Sequence, residues 1–158
     1  MSIAPVIVSV DVPCTPARAF MLFTTRIGEW WGKKQTIGRN PHVAIIIEPY
    51  PEGRWFERDA EGHESLWGKV LAWDPPARLL LGWQLNAQFQ YDVAMLTEVE
   101  LTFSATENGG TTVRLEHRNL ERLGTDAPRV VQSISGGWPM HLGAFAAFCL
   151  PASEGAES

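Results

Sequence analysis

The chain has 158 residues and a net charge of −5, and 45% of its residues are hydrophobic. A chain of this length can bury a core without disulfides or metal ions. Its acidic balance and scattered arginines argue against nucleic-acid binding, which depends on clustered Lys and Arg side chains. Seven Trp and seven Phe residues predict an aromatic-rich core or cavity, because each ring can bury roughly 150–250 Å².

The sequence shows no targeting or membrane signal. The first residues, MSIAPVIVSVDVP, lack the basic and cleavage-like segments of a signal peptide. The longest apolar runs, VAIII and GAFAAFCL, are much shorter than the roughly 20 residues that span a bilayer. Two cysteines, Cys14 and Cys149, lie near opposite ends of the chain. This usage fits a reducing compartment better than a disulfide scaffold, so we expect a cytoplasmic protein.

One strand and two short helices are predicted at the N-terminal end. Residues 6–12, VIVSVDV, have the alternation of a half-buried strand. PCTPARAFMLFT follows, with Thr15 as the N-cap and Pro16 at a position that a helix tolerates. Gly28 is expected to end this helix, and EWWGKK predicts a second short helical turn.

A run of about six strands follows, in HVAIIIEP, GRWFERD, SLWGKVLAW, RLLLGWQL, LTEVELTFSAT and TTVRLEHRNL. The unbroken apolar run in HVAIIIEP indicates that both faces of that strand are covered. DPPA and ENGG are turn signals between strands. The last strands place apolar and polar side chains on opposite faces, so one face of the sheet contacts water and the other contacts a helix.

The C-terminal segment predicts one long amphipathic helix. Its buried stripe recurs at spacings of three and four residues, at Val130, Ile134, Trp138, His141, Leu142, Phe145 and Phe148. Gly136, Gly137 and Pro139 are expected to weaken or kink this helix. The order of elements is typical of an α+β domain. We expect a single domain over residues 1–150 and a frayed tail over residues 151–158.

Three polar side chains share faces with apolar residues. His117 has the parity of its buried strand neighbours, Glu57 has the parity of Trp55, and His141 lies on the apolar stripe of the long helix. A buried carboxylate needs a partner, or its pKa rises. We therefore single out Glu57, His117 and His141 as candidate catalytic or ligand-orienting groups.

Two of these candidates have a purely structural alternative. His117 can bond the backbone near a strand end, and Glu57 can form an ion pair with Arg54 or Arg58. Lys33 and Lys34 can bind an anionic headgroup or simply be solvated in a loop. No zinc spacing, phosphate loop or nucleophile elbow is present in the sequence, so no cofactor or metal is predicted.

Five blocks of the sequence resemble a known family. They are VDVPCTPARAFMLFTTRIGEWWGKK, IIIEPYPEGRWFERDAEG, WGKVLAWDPPARLLLGWQL, TEVELTFSATENGGTTVRLEHRNLERLG and GGWPMHLGAF. Together they look like the bacterial proteins similar to the activator of the 90-kDa heat-shock protein ATPase, which belong to the SRPBCC (START-like) superfamily. The resemblance implies a helix-grip fold. In that fold a curved antiparallel sheet of about six to seven strands surrounds a long C-terminal helix, with two short helices after strand 1. It also implies a hydrophobic cavity between sheet and helix, but a fold alone does not supply a function.

Within that fold the sequence favours a protein that binds a small apolar or amphipathic ligand. The alternatives are a cyclase- or hydrolase-like enzyme that uses polar cavity residues, and a protein-interaction module such as a homodimer or, less favoured, a chaperone partner. We expect one of Trp30 and Trp31 to fill the core and the other to line the cavity mouth, although both can be structural. The predicted cavity residues are Trp30, Trp31, Trp55, Glu57, Trp83, Val99, Leu101, Phe103, Leu115, His117, Ile134, Trp138, His141 and Phe145.

Overall fold

A computed structural model describes residues 3–32, 37–38 and 40–150. Lys33, Lys34 and the expected tail over residues 151–158 lie outside the described residues. The elements are β1 (Val6–Val12), α1 (Pro16–Thr24), α2 (Ile27–Trp30), β2 (His42–Ile47), β3 (Arg54–Asp59), β4 (Glu64–Asp74), β5 (Arg78–Trp83), β6 (Thr97–Ala105), β7 (Thr111–Arg118), a 3-10 helix (Leu120–Asp126) and α3 (Ala127–Phe148).

The seven strands of the described chain form one antiparallel sheet in the order β1-β7-β6-β5-β4-β3-β2. The sheet curls into a half-barrel, with the long C-terminal helix following its last strand and two short helices following its first. The predicted α+β helix-grip fold is therefore confirmed. No helix in the described part of the chain is long and apolar enough to cross a membrane.

Alternation along β6 and β7 determines the face that builds the core. Val99 and Leu101 on β6 are buried, as are Val113 and Leu115 on β7. Leu101 lies directly across from Leu115 in the register of the two strands. The residues between them point to the other side, where Glu100 forms ion pairs with Arg78 and Arg118. The predicted division into one apolar and one wet face is therefore observed on these strands.

The prediction that both faces of β2 are covered is wrong. β2 is an edge strand, and its burial alternates, with Ile45 and Ile47 buried while Val43 is 56% exposed. Alternate side chains point to opposite faces, so the face with Ile45 and Ile47 packs on the core while Val43 on the other face contacts solvent.

Strand β3 departs from simple alternation at its centre. Trp55 and Phe56 are adjacent in sequence, yet both are buried. The pairing of β3 with β4 shifts register between these two residues, and such a bulge changes the local twist of the strand. On the side opposite the core, the guanidinium groups of Arg54 and Arg58 lie 4.3 and 5.6 Å from the Phe56 ring centroid. The two arginines therefore cover Phe56 on the outer side of the sheet.

Helix α1 begins as predicted, but it ends earlier. Thr15 Oγ1 accepts a hydrogen bond from the Arg18 amide, and Pro16 occupies the first turn. The helix ends at Thr24, while Gly28 lies inside α2. A Cβ atom at Gly28 would approach the Ile45 amide nitrogen to 2.9 Å. Gly28 thus permits close packing of α2 on β2 rather than ending a helix.

Helix α3 runs unbroken from Ala127 to Phe148, with Pro139 inside it. Six members of the predicted stripe are buried: Val130, Ile134, Trp138, His141, Leu142 and Phe145. Phe148 is only partly buried against the same core. The predicted spacing therefore identifies the face that α3 turns toward the sheet.

The two cysteines meet where the segment before α1 approaches the end of α3. Both are free thiols, with Cys149 buried and Cys14 half-buried. Burial and then the neighbouring Cys14 side chain raise the pKa of the Cys149 thiol above its usual range.

We expect the native protein to react with a thiol reagent such as DTNB at Cys14 but not at Cys149 at about pH 8. Little Cys149 thiolate forms there, and the side chain is buried. Counting reactive thiols in wild type, Cys14→Ser and Cys149→Ser, each native and in urea, checks this. Fast labelling of native Cys14→Ser would contradict it.

Candidate functional site

A pocket of about 250 Å³ lies between the curled sheet and α3. Its described walls are mostly aromatic and aliphatic: Trp31, Trp67, Trp83 and Trp138, then Ile37, Leu85, Phe89 and Ile134, with Ser133, Gly137 and His141 completing the lining. The indoles come from four different parts of the chain, so the pocket exists only in the folded protein.

Exposure separates the floor of the pocket from its mouth. Trp67, Trp138 and Leu85 are nearly inaccessible to solvent. Ser133 is exposed, and Phe89 and Gly137 are partly exposed. The pocket therefore opens between α3 and the loop that follows β5, and the buried indoles form its floor.

The loop that contributes Phe89 is built around Asn86. The Asn86 side-chain oxygen accepts hydrogen bonds from the amides of Gln88 and Gln90. This tight turn holds Phe89 at a φ of 58°, a region that bulky residues rarely adopt. The Arg129 guanidinium donates to the Ala87 carbonyl at 2.9 Å, which ties the loop to the start of α3.

The paired tryptophans of EWWGKK have different environments. Trp30 packs against Phe23 and Phe145, and its indole N–H donates to the Leu22 carbonyl at 3.1 Å. Trp31 lines the pocket and stacks on His141, with ring centroids 3.7 Å apart and planes 11° apart. The structure therefore places Trp30 in the core and Trp31 at the pocket.

His141 is the one titratable side chain in the described lining. Burial lowers the pKa of its imidazole to about 4, so the ring is neutral at pH 7. The hydrogen bonds of the described residues include none to this imidazole. His141 can therefore offer a neutral donor or acceptor to a molecule in the pocket.

His117 lies behind the pocket wall. Its Nδ1 accepts a hydrogen bond from the Trp138 indole at 3.1 Å, and its Nε2 lies 2.8 Å from Thr97 Oγ1. Because an indole can only donate, Nδ1 is unprotonated and Nε2 carries the proton toward Thr97. Burial lowers the pKa of His117 to about 3. The expected backbone bond is thus replaced by two side-chain partners, and His117 positions Trp138 rather than facing the pocket.

Glu57 is also buried behind the lining. Its carboxylate accepts hydrogen bonds from the Trp67 indole at 2.9 Å and from the amides of Ile37 and Gly38 at 2.9 and 3.0 Å. Glu57 therefore connects two parts of the pocket wall.

Neither Arg54 nor Arg58 forms the ion pair with Glu57 that the sequence suggested. Arg54 pairs with Glu48 and Glu64, and Arg58 pairs with Glu64. These pairs lie on the outer face of the sheet, whereas Glu57 points toward the core, because alternate strand residues face opposite ways.

Five predicted cavity residues line the pocket: Trp31, Trp83, Ile134, Trp138 and His141. The other predicted residues are buried around or behind it: Trp30, Trp55, Glu57, Val99, Leu101, Phe103, Leu115, His117 and Phe145. Whether the pocket holds a ligand remains a prediction.

Sequence reasoning missed six described lining residues: Ile37, Trp67, Leu85, Phe89, Ser133 and Gly137. Trp67 lies on β4, where the burial of an indole was a usable signal. Ser133 and Gly137 precede His141 by two turns and one turn, so helical spacing from His141 could have found them. Phe89 lies in an irregular loop, where no periodicity exists to indicate direction.

The described lining carries no full charge at neutral pH, because its only titratable group is neutral His141. Within residues 3–32, 37–38 and 40–150, no group of three or more His, Cys, Asp or Glu side chains is placed to hold a metal ion.

A curled antiparallel sheet around a long C-terminal helix, with a pocket between them, defines the helix-grip class of proteins. The chain belongs to the family of Activator of Hsp90 ATPase homolog 1-like proteins, whose sequence model matches residues 13–149. No curated protein matches the chain.

Solved structures include similar chains with different descriptions. An anthrahydroquino-Gama-pyrone synthase, Txn09, complexed with SUM, is 32% identical over 92% of this chain and 97% of that one, with a TM-score of 0.66. CalC, a self-sacrificing resistance protein from Micromonospora echinospora, is 29% identical over 98% of each chain, with a TM-score of 0.72. The Aha1 dimer from Colwellia psychrerythraea is 14% identical over 93% of this chain and 96% of that one, with a TM-score of 0.65, and shares the fold alone.

We expect Glu57→Gln to lower the free energy of unfolding by about 1–3 kcal/mol. The substitution replaces one carboxylate oxygen with an NH₂ group, which cannot accept a hydrogen bond. At least one N–H donor around residue 57 would then lose its acceptor. Urea unfolding at pH 7 measures the loss. Glu64→Gln, which breaks solvent-exposed ion pairs, is the matched control and should cost much less. Equal losses in the two variants would show that the buried carboxylate has no special role.

We expect stability to fall as the pH drops from about 6.5 toward 3, partly because of His117. The unfolded side chain takes up a proton near pH 6.5, whereas the folded one resists protonation down to about 3. The contribution of His117 to the free energy of unfolding is complete above about pH 6.5. Below that value it decreases by about 1.4 kcal/mol per pH unit.

Urea unfolding at several pH values between about 6.5 and 5 tests this role for His117. His117→Asn keeps an acceptor for Trp138 and should remove the His117 part of the slope. Thr97→Val removes the hydroxyl but keeps the histidine, so it should retain the slope despite its lower stability. An unchanged slope in His117→Asn would contradict the assignment.

Proposed function

We propose that this protein binds a compact, uncharged aromatic molecule in the pocket between the sheet and α3. The observation that carries the proposal is a partly open pocket with four indoles and the Phe89 ring in its lining. Apolar surface that remains unfilled in an open pocket is costly to keep in water, and burial of an apolar ligand recovers that cost. Flat aromatic rings bind best to such walls in offset-stacked or edge-to-face arrangements.

The volume of the pocket limits the size of the ligand that can be buried in it. About 250 Å³ is slightly below the roughly 300–1,000 Å³ of typical small-molecule sites. The pocket therefore fits a molecule of a few rings, or the buried end of a longer one that projects through the mouth. Burial supplies about 25 cal/mol per Å² of apolar area, reduced by the cost of ordering the ligand.

Electrostatics favour a neutral ligand with one polar group. The described lining has no charged side chain to compensate a ligand charge, and burying an uncompensated charge is expensive. The neutral imidazole of His141 can hydrogen-bond a hydroxyl or carbonyl group while the indoles contact the rings. The oriented polar group gives selectivity, and the aromatic walls give most of the affinity.

Native mass spectrometry of the protein purified from its own host tests the proposal directly. We expect a mass excess that disappears on denaturation, and a released aromatic compound at up to one molecule per chain. Release of no small molecule, together with failure to bind uncharged aromatic probes such as N-phenyl-1-naphthylamine, would overturn it.

A second candidate function is catalysis on a molecule held in the same pocket. It is favoured by the 32% identity to a chain described as a synthase and by the position of His141 in the lining. With its pKa lowered to about 4, His141 is unprotonated at neutral pH and would act as a base rather than an acid.

His141→Phe separates the two functions. The new ring can still stack on Trp31, so we expect N-phenyl-1-naphthylamine to bind within about threefold of wild type, a difference below 1 kcal/mol. If the protein is an enzyme, conversion of the compound released from native protein falls by about 10²-fold or more. Mass spectrometry follows that conversion, and Met140→Leu, exposed on the same helix, is the control. Equal product formation by both variants would exclude His141 as the base.

A further inference from the structure

Helix α3 carries two adjacent glycines, Gly136 and Gly137, in its interior. Glycine in the middle of a helix destabilises it relative to alanine. Neither glycine has a positive φ, and a Cβ atom built on either would meet nothing within 4 Å. Backbone conformation and close packing therefore explain neither residue.

The two glycines differ in what the missing side chain would face. Gly136 is exposed to solvent and is absent from the pocket lining, whereas Gly137 is half-buried and lines the pocket. Ser133 and His141 lie four residues before and after Gly137, on the same face of the helix, and both also line the pocket. A side chain at position 137 would therefore enter the pocket.

The other part of the rim is fixed in place. Phe89 is held by the turn around Asn86, and the loop is tied to α3 by the bond from Arg129 to the Ala87 carbonyl. Because the loop is attached to the same helix, it cannot move away easily to make room for a bulky residue at position 137.

We propose that Gly137 is a specificity-determining residue whose missing side chain keeps the pocket wide enough for a flat ring system to enter between α3 and Phe89. This inference rests on the proposed ligand-binding function and adds the position that limits ligand thickness. Gly136 serves no such purpose and supplies a matched control one residue away on the same helix.

Two pairs of variants test the proposal: Gly137→Ala with Gly136→Ala, and Gly137→Leu with Gly136→Leu. Binding is measured with N-phenyl-1-naphthylamine, from probe fluorescence and from quenching of tryptophan emission. We expect the Kd to rise about threefold to tenfold in Gly137→Ala and binding to be lost in Gly137→Leu. Both Gly136 variants should bind as wild type does.

Thermal unfolding without any ligand gives an independent readout. Both alanine variants should raise the Tm by about 2–4 °C, through helix propensity. Gly137→Leu should be more stable than Gly136→Leu, because its isobutyl group is buried against the indoles while that of Gly136→Leu stays in water.

The outcomes separate this inference from the proposed function. If wild type binds the probe and Gly137→Leu binds it equally well, the role of Gly137 is overturned and the ligand-binding function stands. A Gly137→Leu variant no more stable than Gly136→Leu also overturns it, because the side chain then does not enter the pocket. If wild type neither binds the probe nor releases a small molecule on denaturation, the role of Gly137 in ligand entry falls together with the binding function.

Discussion

Three indoles of the tryptophan cluster between the sheet and the helices depend on a specific acceptor for the N–H group. A buried donor without a partner costs about 1–3 kcal/mol, a cost that applies to the buried Trp55 N–H, which has no acceptor among the described residues, and that these three indoles avoid. Trp30 donates to the Leu22 carbonyl, Trp67 to Glu57 and Trp138 to His117. Each bond fixes the direction of the indole N–H, and a ring that is held in this way can border a pocket without moving into it.

This constraint explains why two of the polar residues that resemble catalytic groups are buried. His117 and Glu57 lie behind the aromatic wall and use their polar atoms to hold it. A residue occupied in this way positions others and does not itself reach a molecule in the pocket. His141 differs, because it stacks on Trp31 within the lining of the pocket. These three buried polar residues thus divide into two that support the aromatic wall and one that belongs to the lining.

The open pocket makes the fold less stable than a fully packed core would be. A helix with alanine in place of Gly137 and a core with larger side chains would fill the space and stabilise the fold. Proteins commonly give up some stability at functional sites in this way. The helix-grip fold provides the curved sheet and the long helix, and the side chains that line the gap decide what the fold can hold. Activity in this family is therefore better inferred from lining residues than from overall similarity.

The sequence by itself determined the order of elements, the apolar face of β6 and β7, and the stripe of α3. Each of these follows from local periodicity, because strand side chains alternate and helical ones repeat every three or four residues. The sequence blocks also identified the family and hence the helix-grip fold. The sequence did not determine which of Trp30 and Trp31 borders the pocket. It also did not show that two arginines cover Phe56 or that Phe89 forms part of the mouth. Those features were decided by tertiary structure, because periodicity assigns a residue to a face, whereas the curl of the sheet and the position of the helix determine whether that face meets a neighbour or a void.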